Sequence, residues 1–148
     1  MIQSHDLLPF VEGWEGLRTT AYNDGGGVWT IGIGRTKGVR PGDTCTEEQA
    51  RAWFADEMRE YAAALEAYLI RPPSQQQFDA LLSLAYNCGV AAIGMSGVVA
   101  RHNAGLHEDC ANRFLLWNKD GGRPVAGLTK RREAERAIYL RGDYSGRP

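Results

Sequence analysis

Glu15-Gly16-Leu17-Arg18-Thr19-Thr20-Ala21-Tyr22-Asn23-Asp24-Gly25-Gly26-Gly27-Val28-Trp29-Thr30-Ile31-Gly32-Ile33-Gly34-Arg35-Thr36 is the stretch on which the reading of this chain turns. Two β-prone runs, Arg18–Tyr22 and Val28–Ile33, flank three consecutive glycines, a spacing that predicts a hairpin. A third strand is expected near Gly38–Arg40, before the break at Pro41-Gly42. The stretch holds two carboxylates, Glu15 before the first strand and Asp24 at the tip of the hairpin, with Thr30 on the returning strand. Folding at the hairpin should bring Asp24 and Thr30 to one edge, with Glu15 facing them across a cleft. Spacing alone also fits a plainer reading, an acid at a helix end and an Asp held in a turn by its own hydrogen bonds.

Outward from this segment the pattern changes from period two to helical. Residues 5–14 read as a short first helix, with Leu7, Leu8, Phe10, Val11 and Trp14 apolar and Gly16 ending it. Thr46-Glu47-Glu48-Gln49 opens a long helix whose apolar stripe runs from Trp53 to Leu69, and Pro72-Pro73 stops it. Ser74-Gln75-Gln76-Gln77 is a second capping box, followed by Phe78, Leu81, Leu82 and Ala85 and closed by Gly89. Ser96 opens a short helix to about Asn103, and His107–Asn118 forms another. Lys119–Gly127 reads as a loop, and Thr129 as the cap of a last helix to about Leu140. The chain is therefore α+β and mainly helical. A single domain over 1–148 is expected, with a β lobe at about 17–42. A helical lobe at about 46–142, joined by the first helix, lies across a cleft.

Length and composition fit this picture. The 148 residues correspond to about one domain, and 43% hydrophobic with 24% charged residues is ordinary for a globular protein. No apolar stretch reaches 18 residues, so stable membrane insertion is not expected. The start lacks the features of an export signal, which points to synthesis in the cytoplasm. A formal net charge of −1 argues against a general nucleic-acid footprint. The last 19 residues nevertheless carry six basic against three acidic side chains. That excess is readable either as a solvated helix face or as a patch for an anionic surface. Cys45, Cys88 and Cys110 have no pairing pattern and read as free thiols. With the histidines scattered, neither a metal nor a cofactor is expected. A monomer is the default.

The motifs resemble those of phage-type lysozymes, the endolysins of glycoside hydrolase family 24. Glu15-Gly16-Leu17-Arg18, Tyr22-Asn23-Asp24 and Thr30-Ile31-Gly32-Ile33-Gly34 match that family's signature with its spacings intact. Tyr86-Asn87-Cys88-Gly89, the Trp117 segment Phe114–Asn118 and Gly127-Leu128-Thr129-Lys130-Arg131-Arg132 with Glu135 extend the likeness over nearly the whole chain. One departure stands out: many family members have His where this chain has Arg35. The change bears on hydrogen bonding behind the β lobe rather than on the reaction.

The resemblance implies a muramidase cleaving the β-1,4 bond between N-acetylmuramic acid and N-acetylglucosamine of the peptidoglycan glycan strand. It implies no cofactor. Made in the host cytoplasm, such an enzyme would reach the periplasmic wall through a pore or cell breakage. Glu15 is then the general acid, Asp24 the anion that stabilises the sugar cation and activates water, and Thr30 the holder of that water. Glu15 ends a helix, where the dipole disfavours a carboxylate and favours retention of a proton. A basic residue from Arg131 or Arg132 would pull the other way. Asn87, Tyr22 and Arg131 are expected to bind substrate, although Asn87 reads equally as a helix cap. Trp29 reads as β-lobe core. The alternatives are a lytic transglycosylase on the same bond and a catalytically silent wall-binding module of the same fold.

Overall fold

A computed structural model describes residues 1–148. Seven helices and two small antiparallel sheets follow in the order α1 (Leu7–Glu15), β1 (Arg18–Asn23), β2 (Trp29–Gly32), α2 (Glu47–Glu66), α3 (Gln75–Cys88), α4 (Val90–Gly94), α5 (Gly97–Asn103), α6 (His107–Phe114), β3 (Lys119–Asp120), β4 (Arg123–Pro124) and α7 (Ala126–Arg141). The fold is α+β and mainly helical, as the sequence indicates.

The hairpin forms where two β-prone runs meet three glycines. Tyr22 pairs with Thr30 and Asn23 with Trp29, and the register slips between Arg18 and Tyr22. Two side chains knit the turn. Asn23 Oδ1 accepts from Gly25 N at 3.0 Å and Gly27 N at 3.1 Å, while Asp24 Oδ1 accepts from Gly26 N at 2.8 Å and Val28 N at 3.2 Å. No third strand forms at Gly38–Arg40. The chain turns at Pro41-Gly42, where Arg40 N donates to Asp43 Oδ2. It then meets the free edge of β1 through Ala21 N to Asp43 O and Cys45 N to Thr19 O, both 2.8 Å.

Helix α3 is the centre of the helical lobe. Its capping box forms as the sequence indicates, with Ser74 Oγ accepting from Gln77 N and the Gln77 side chain accepting from Ser74 N. Phe78, Leu81, Leu82, Leu84 and Ala85 are fully buried in one core with Leu7, Phe10 and Val11 of α1, Met58 and Leu65 of α2, and Ile138 and Tyr139 of α7. Buried Asp79, on the same helix, accepts from Ser4 N, Ser4 Oγ, Gln75 Nε2 and Tyr144 OH.

Several boundaries differ from the sequence reading. The first helix is Leu7–Glu15, so Glu15 is its last residue, and Asp6 provides no side-chain cap. Helix α2 stops at Glu66, because Ile70 N and Arg71 N are taken by Asn103 Oδ1 of α5 instead of continuing the ladder. The expected loop 119–127 contains the short β3–β4 hairpin. That hairpin feeds α7 directly from Val125, so Thr129 lies inside the helix and its hydroxyl accepts from Asn118 Nδ2.

A polar cluster sits in the core beside Tyr139. Its hydroxyl lies 2.7 Å from His102 Nδ1 and 3.0 Å from His107 Nδ1, and His102 Nε2 lies 3.0 Å from the Arg71 carbonyl. A carbonyl only accepts, so His102 carries its proton on Nε2 and accepts a hydrogen bond from the Tyr139 hydroxyl on Nδ1. Burial pushes His102 below its ordinary value of 6.5. The unfolded chain therefore binds a proton near pH 6.5 that the folded chain takes up only at lower pH. Stability should fall as pH drops through that window, by up to about 1.4 kcal/mol per pH unit. Urea denaturation at pH 7.5 and 5.5 measures it: His102→Gln should show a shallower loss than the parent, and equal losses would contradict the reading.

Candidate active site

Glu15 closes α1, and Gly16 follows at φ 76°, a conformation that releases the chain into β1. The end of α1 faces α7. Arg131 Nη1 lies 2.8 Å from Glu15 Oε1, with only 6% of the arginine side chain and 20% of the glutamate side chain exposed. Arg131 is therefore not placed to bind substrate as the sequence reading expected; it is buried beneath Glu15 and holds it. Its Nε lies 3.6 Å from Glu135 Oε2, which also accepts from Ser83 Oγ at 2.5 Å. Arg132 Nε approaches Glu135 Oε1 to 2.8 Å, too bent for a hydrogen bond, so that the contact is an ion pair only. Burial pushes the Glu135 carboxyl up, opposed by the Arg132 and Arg131 charges and the Ser83 hydroxyl.

In front of Glu15 lies a polar hollow of about 280 Å³ between the segment after β2 and helices α2 and α3, lined by Glu15, Gly34, Thr36, Lys37, Glu57, Glu60, Tyr61, Tyr86 and Asn87. Tyr86 OH donates to the Ile33 carbonyl at 3.0 Å, which pins the backbone next to Gly34. Its ring meets Tyr61 and Phe54 edge-on at 5.0 and 5.6 Å. Burial raises the Tyr86 phenol, with the Glu15 charge adding to it, so it remains a donor. A larger and more apolar hollow of about 560 Å³ adjoins at Asn87, between Cys88 and the segment Leu116–Leu128 that includes Trp117 and the β3–β4 hairpin. Asn87 lines both, so the two hollows form one groove divided at that residue.

The remaining sequence candidates are distributed unevenly. Asp24 lies at the hairpin tip with Oδ1 committed to the turn and Oδ2 free of protein partners. Thr30 is 5% exposed, and its hydroxyl donates weakly to the Val28 carbonyl at 3.4 Å. Neither is among the residues lining the hollow at Glu15. Tyr22, opposite Thr30, carries Arg18 over its ring at 4.3 Å and faces a separate shallow depression along β1. Asn87 lies in the last turn of α3, whose cap is Gly89, so it is not itself the cap. Trp29 is half-buried. Arg35, in place of the family His, donates to Glu57 Oε1 at 2.6 Å and stacks over Trp53 at 4.7 Å. Burial raises the Glu57 carboxyl, with Arg35 opposing. The basic excess of the last helix is partly internal, because Arg131 and Arg132 are both buried.

The sequence reading missed Glu57, Glu60 and Tyr61 as groove residues. They recur at one helical face beside the apolar stripe of α2, and that spacing was the available signal. No group of three or more His, Cys, Asp or Glu side chains is placed to hold a metal ion.

A family model described as phage lysozyme matches residues 12–135. The chain is 40% identical to the endolysin of Bacillus phage B103 over 92% of its length, spanning 53% of that relative. It is 36% identical to the endolysin of Acyrthosiphon pisum secondary endosymbiont phage 1, over 89% of this chain and 93% of that one. The solved endolysin from Escherichia coli O157:H7 phage FAHEc1 superposes with a TM-score of 0.90 at 36% identity, covering 97% of this chain and 96% of the other.

Gly34 lies against the Glu15 carboxyl group. Its φ is +71°, and a Cβ there would stand 3.4 Å from Glu15 Oε2 and 3.5 Å from Tyr86 OH. Gly34→Ala should cost about 1–2 kcal/mol from the backbone conformation alone, since the methyl itself would stand at ordinary contact distance from its neighbours. Denaturation curves check this; an alanine variant with parental stability would refute the conformational argument.

Proposed function

The chain belongs to the phage lysozyme family, and on that premise we propose that it is an endolysin-type muramidase. It hydrolyses the β-1,4 bond between N-acetylmuramic acid and N-acetylglucosamine in the glycan strands of peptidoglycan. The observation that carries the reading is the Glu15 carboxyl group at the wall of a groove, fixed from behind by buried Arg131 at 2.8 Å. Glycoside hydrolysis needs a proton for the leaving oxygen, delivered from a carboxyl group held in place against the sugar. Glu15 has both the position and the constraint.

Asp24 is the second carboxylate. Its Oδ1 bonds to the turn, which holds the side chain at the hairpin tip and leaves Oδ2 to face developing positive charge on the sugar ring. Thr30, on the strand opposite Tyr22, is the hydroxyl that holds the attacking water. Hydrolysis by direct attack of water places the two carboxyl groups roughly 6.5–9.5 Å apart around the sugar. Bound glycan must therefore extend from the hollow at Glu15 toward the hairpin tip. Tyr22 and Asn87 contribute substrate contacts. The substrate is the wall glycan, and the protein acts on the wall as a monomer. Made in the host cytoplasm, it is released through a membrane pore or cell breakage; no helix is long and apolar enough to cross a membrane.

Glu15→Gln tests this directly. General acid catalysis contributes about 10²–10⁴-fold, so lysis of permeabilised bacteria should fall by at least about 100-fold while the thermal transition remains cooperative. Mass spectrometry of the released muropeptides should find reducing ends. Anhydro ends would move the reaction to lytic transglycosylation, and full turnover by the glutamine variant would remove Glu15 as the acid.

A further inference from the structure

Arg132 takes no part in the reaction as derived above, yet it is fully buried and spends its three nitrogens on three different groups. Nε faces Glu135 Oε1 at 2.8 Å, Nη1 donates to Cys88 Sγ at 2.8 Å, and Nη2 donates to Asn87 Oδ1 at 2.5 Å. A guanidinium has donors only. An amide side chain lying against it must present oxygen, because the reverse orientation would oppose N–H to N–H. The Asn87 amide is therefore locked with Oδ1 inward. Its Nδ2 occupies the other branch of the planar group and finds no protein acceptor, while the residue is exposed and lines the groove on both sides.

We infer that Arg132 is a positioning residue that makes Asn87 an obligate hydrogen-bond donor to an amide carbonyl of the substrate. The inference rests on the muramidase reading for its substrate and on geometry for its orientation. Peptidoglycan offers amide carbonyls from two sources, the acetamido groups of the sugars and the peptide stems. An unconstrained asparagine could turn either edge outward and accept as readily as donate. One held by a buried cation selects acceptors and leaves a substrate without a carbonyl at that point unrewarded. Helix α7 thus acts at two places, holding Glu15 through Arg131 and setting the polarity of Asn87 through Arg132.

Asn87→Asp is the decisive variant. It keeps an acceptor for Arg132 and removes the outward donor, whereas Asn87→Ala removes both. Thermal denaturation of the full chain reads the inward half without reference to activity. Asn87→Asp should melt at or above the parent, and Asn87→Ala roughly 2–4 °C below it. An aspartate variant melting as low as the alanine variant would overturn the assigned orientation. Reducing-end release from purified wall reads the outward half: both variants should raise KM about tenfold, with kcat much less affected. An aspartate variant retaining the parental KM would mean that oxygen, not nitrogen, meets the substrate, and would overturn the donor role. De-N-acetylated wall and stem-free wall identify the carbonyl. On the one lacking it the parent should fall to the variants' level, and a gap persisting undiminished on both would sink the carbonyl assignment. Arg132→Lys keeps a cation against Glu135 and should raise KM with Asn87 present but add nothing to Asn87→Ala. An additive rise would place the action of Arg132 elsewhere, and if the lysine variant does not fold, the two Asn87 variants still decide. Parent protein inactive on every wall would defeat the muramidase reading, an outcome distinct from active parent with an indifferent aspartate variant.

Discussion

A salt bridge with little access to water, Arg131 to Glu15, fixes the relation between the end of the first helix and the beginning of the last. Burying a guanidinium is costly, and such pairs contribute little net stability because desolvation offsets the attraction. Here the cost is visible. Arg131 Nη2 and Nε, Arg132 Nε and Glu135 Oε1 have no hydrogen-bond partner. A hydrophobic core of the same volume would carry no such orphans. What the charged cluster supplies is direction: Glu135, bonded to Ser83 through Oε2 and flanked by both arginines, holds one guanidinium toward Glu15 and the other toward the end of α3. Two walls of the groove are referenced to one turn of α7.

Much of the fold is legible in the sequence because it is locally determined. Thr46 and Ser74 cap helices through bonds to backbone groups three residues away, and Ser96 through one two residues away. The three glycines after Asp24 permit a turn held by the Asn23 and Asp24 side chains, which accept from four backbone amides, and by Asp24 N donating to the Val28 carbonyl. What sequence reading mislaid depends on partners distant in the chain. Helix α2 ends early because Asn103 takes the amides of residues 70 and 71. The edge of β1 is met by Asp43–Cys45 instead of Gly38–Arg40, since the turn at Pro41-Gly42 delays the return.

The candidate site divides the same way. Glu15, Asp24 and Thr30 stand in one short segment, and the motif points to them together. Arg131 and Arg132 are adjacent in a basic run, and nothing local distinguishes buried arginines from solvated ones. Only the packing of α7 against α3 and the end of α1 separates their roles. Arg35 illustrates a substitution absorbed by its surroundings. A planar cation stacks on Trp53 and meets Glu57 at 2.6 Å, so the region behind the hairpin holds a charged hydrogen bond.

The carboxylate of Asp79 accepts from Ser4 near one end of the chain and from Tyr144 near the other. Two segments far apart in the sequence are thereby fastened to one buried carboxylate of α3, a clasp that neither can leave without stranding a buried acceptor. An insertion at the exposed Gly121-Gly122 turn would leave that clasp untouched.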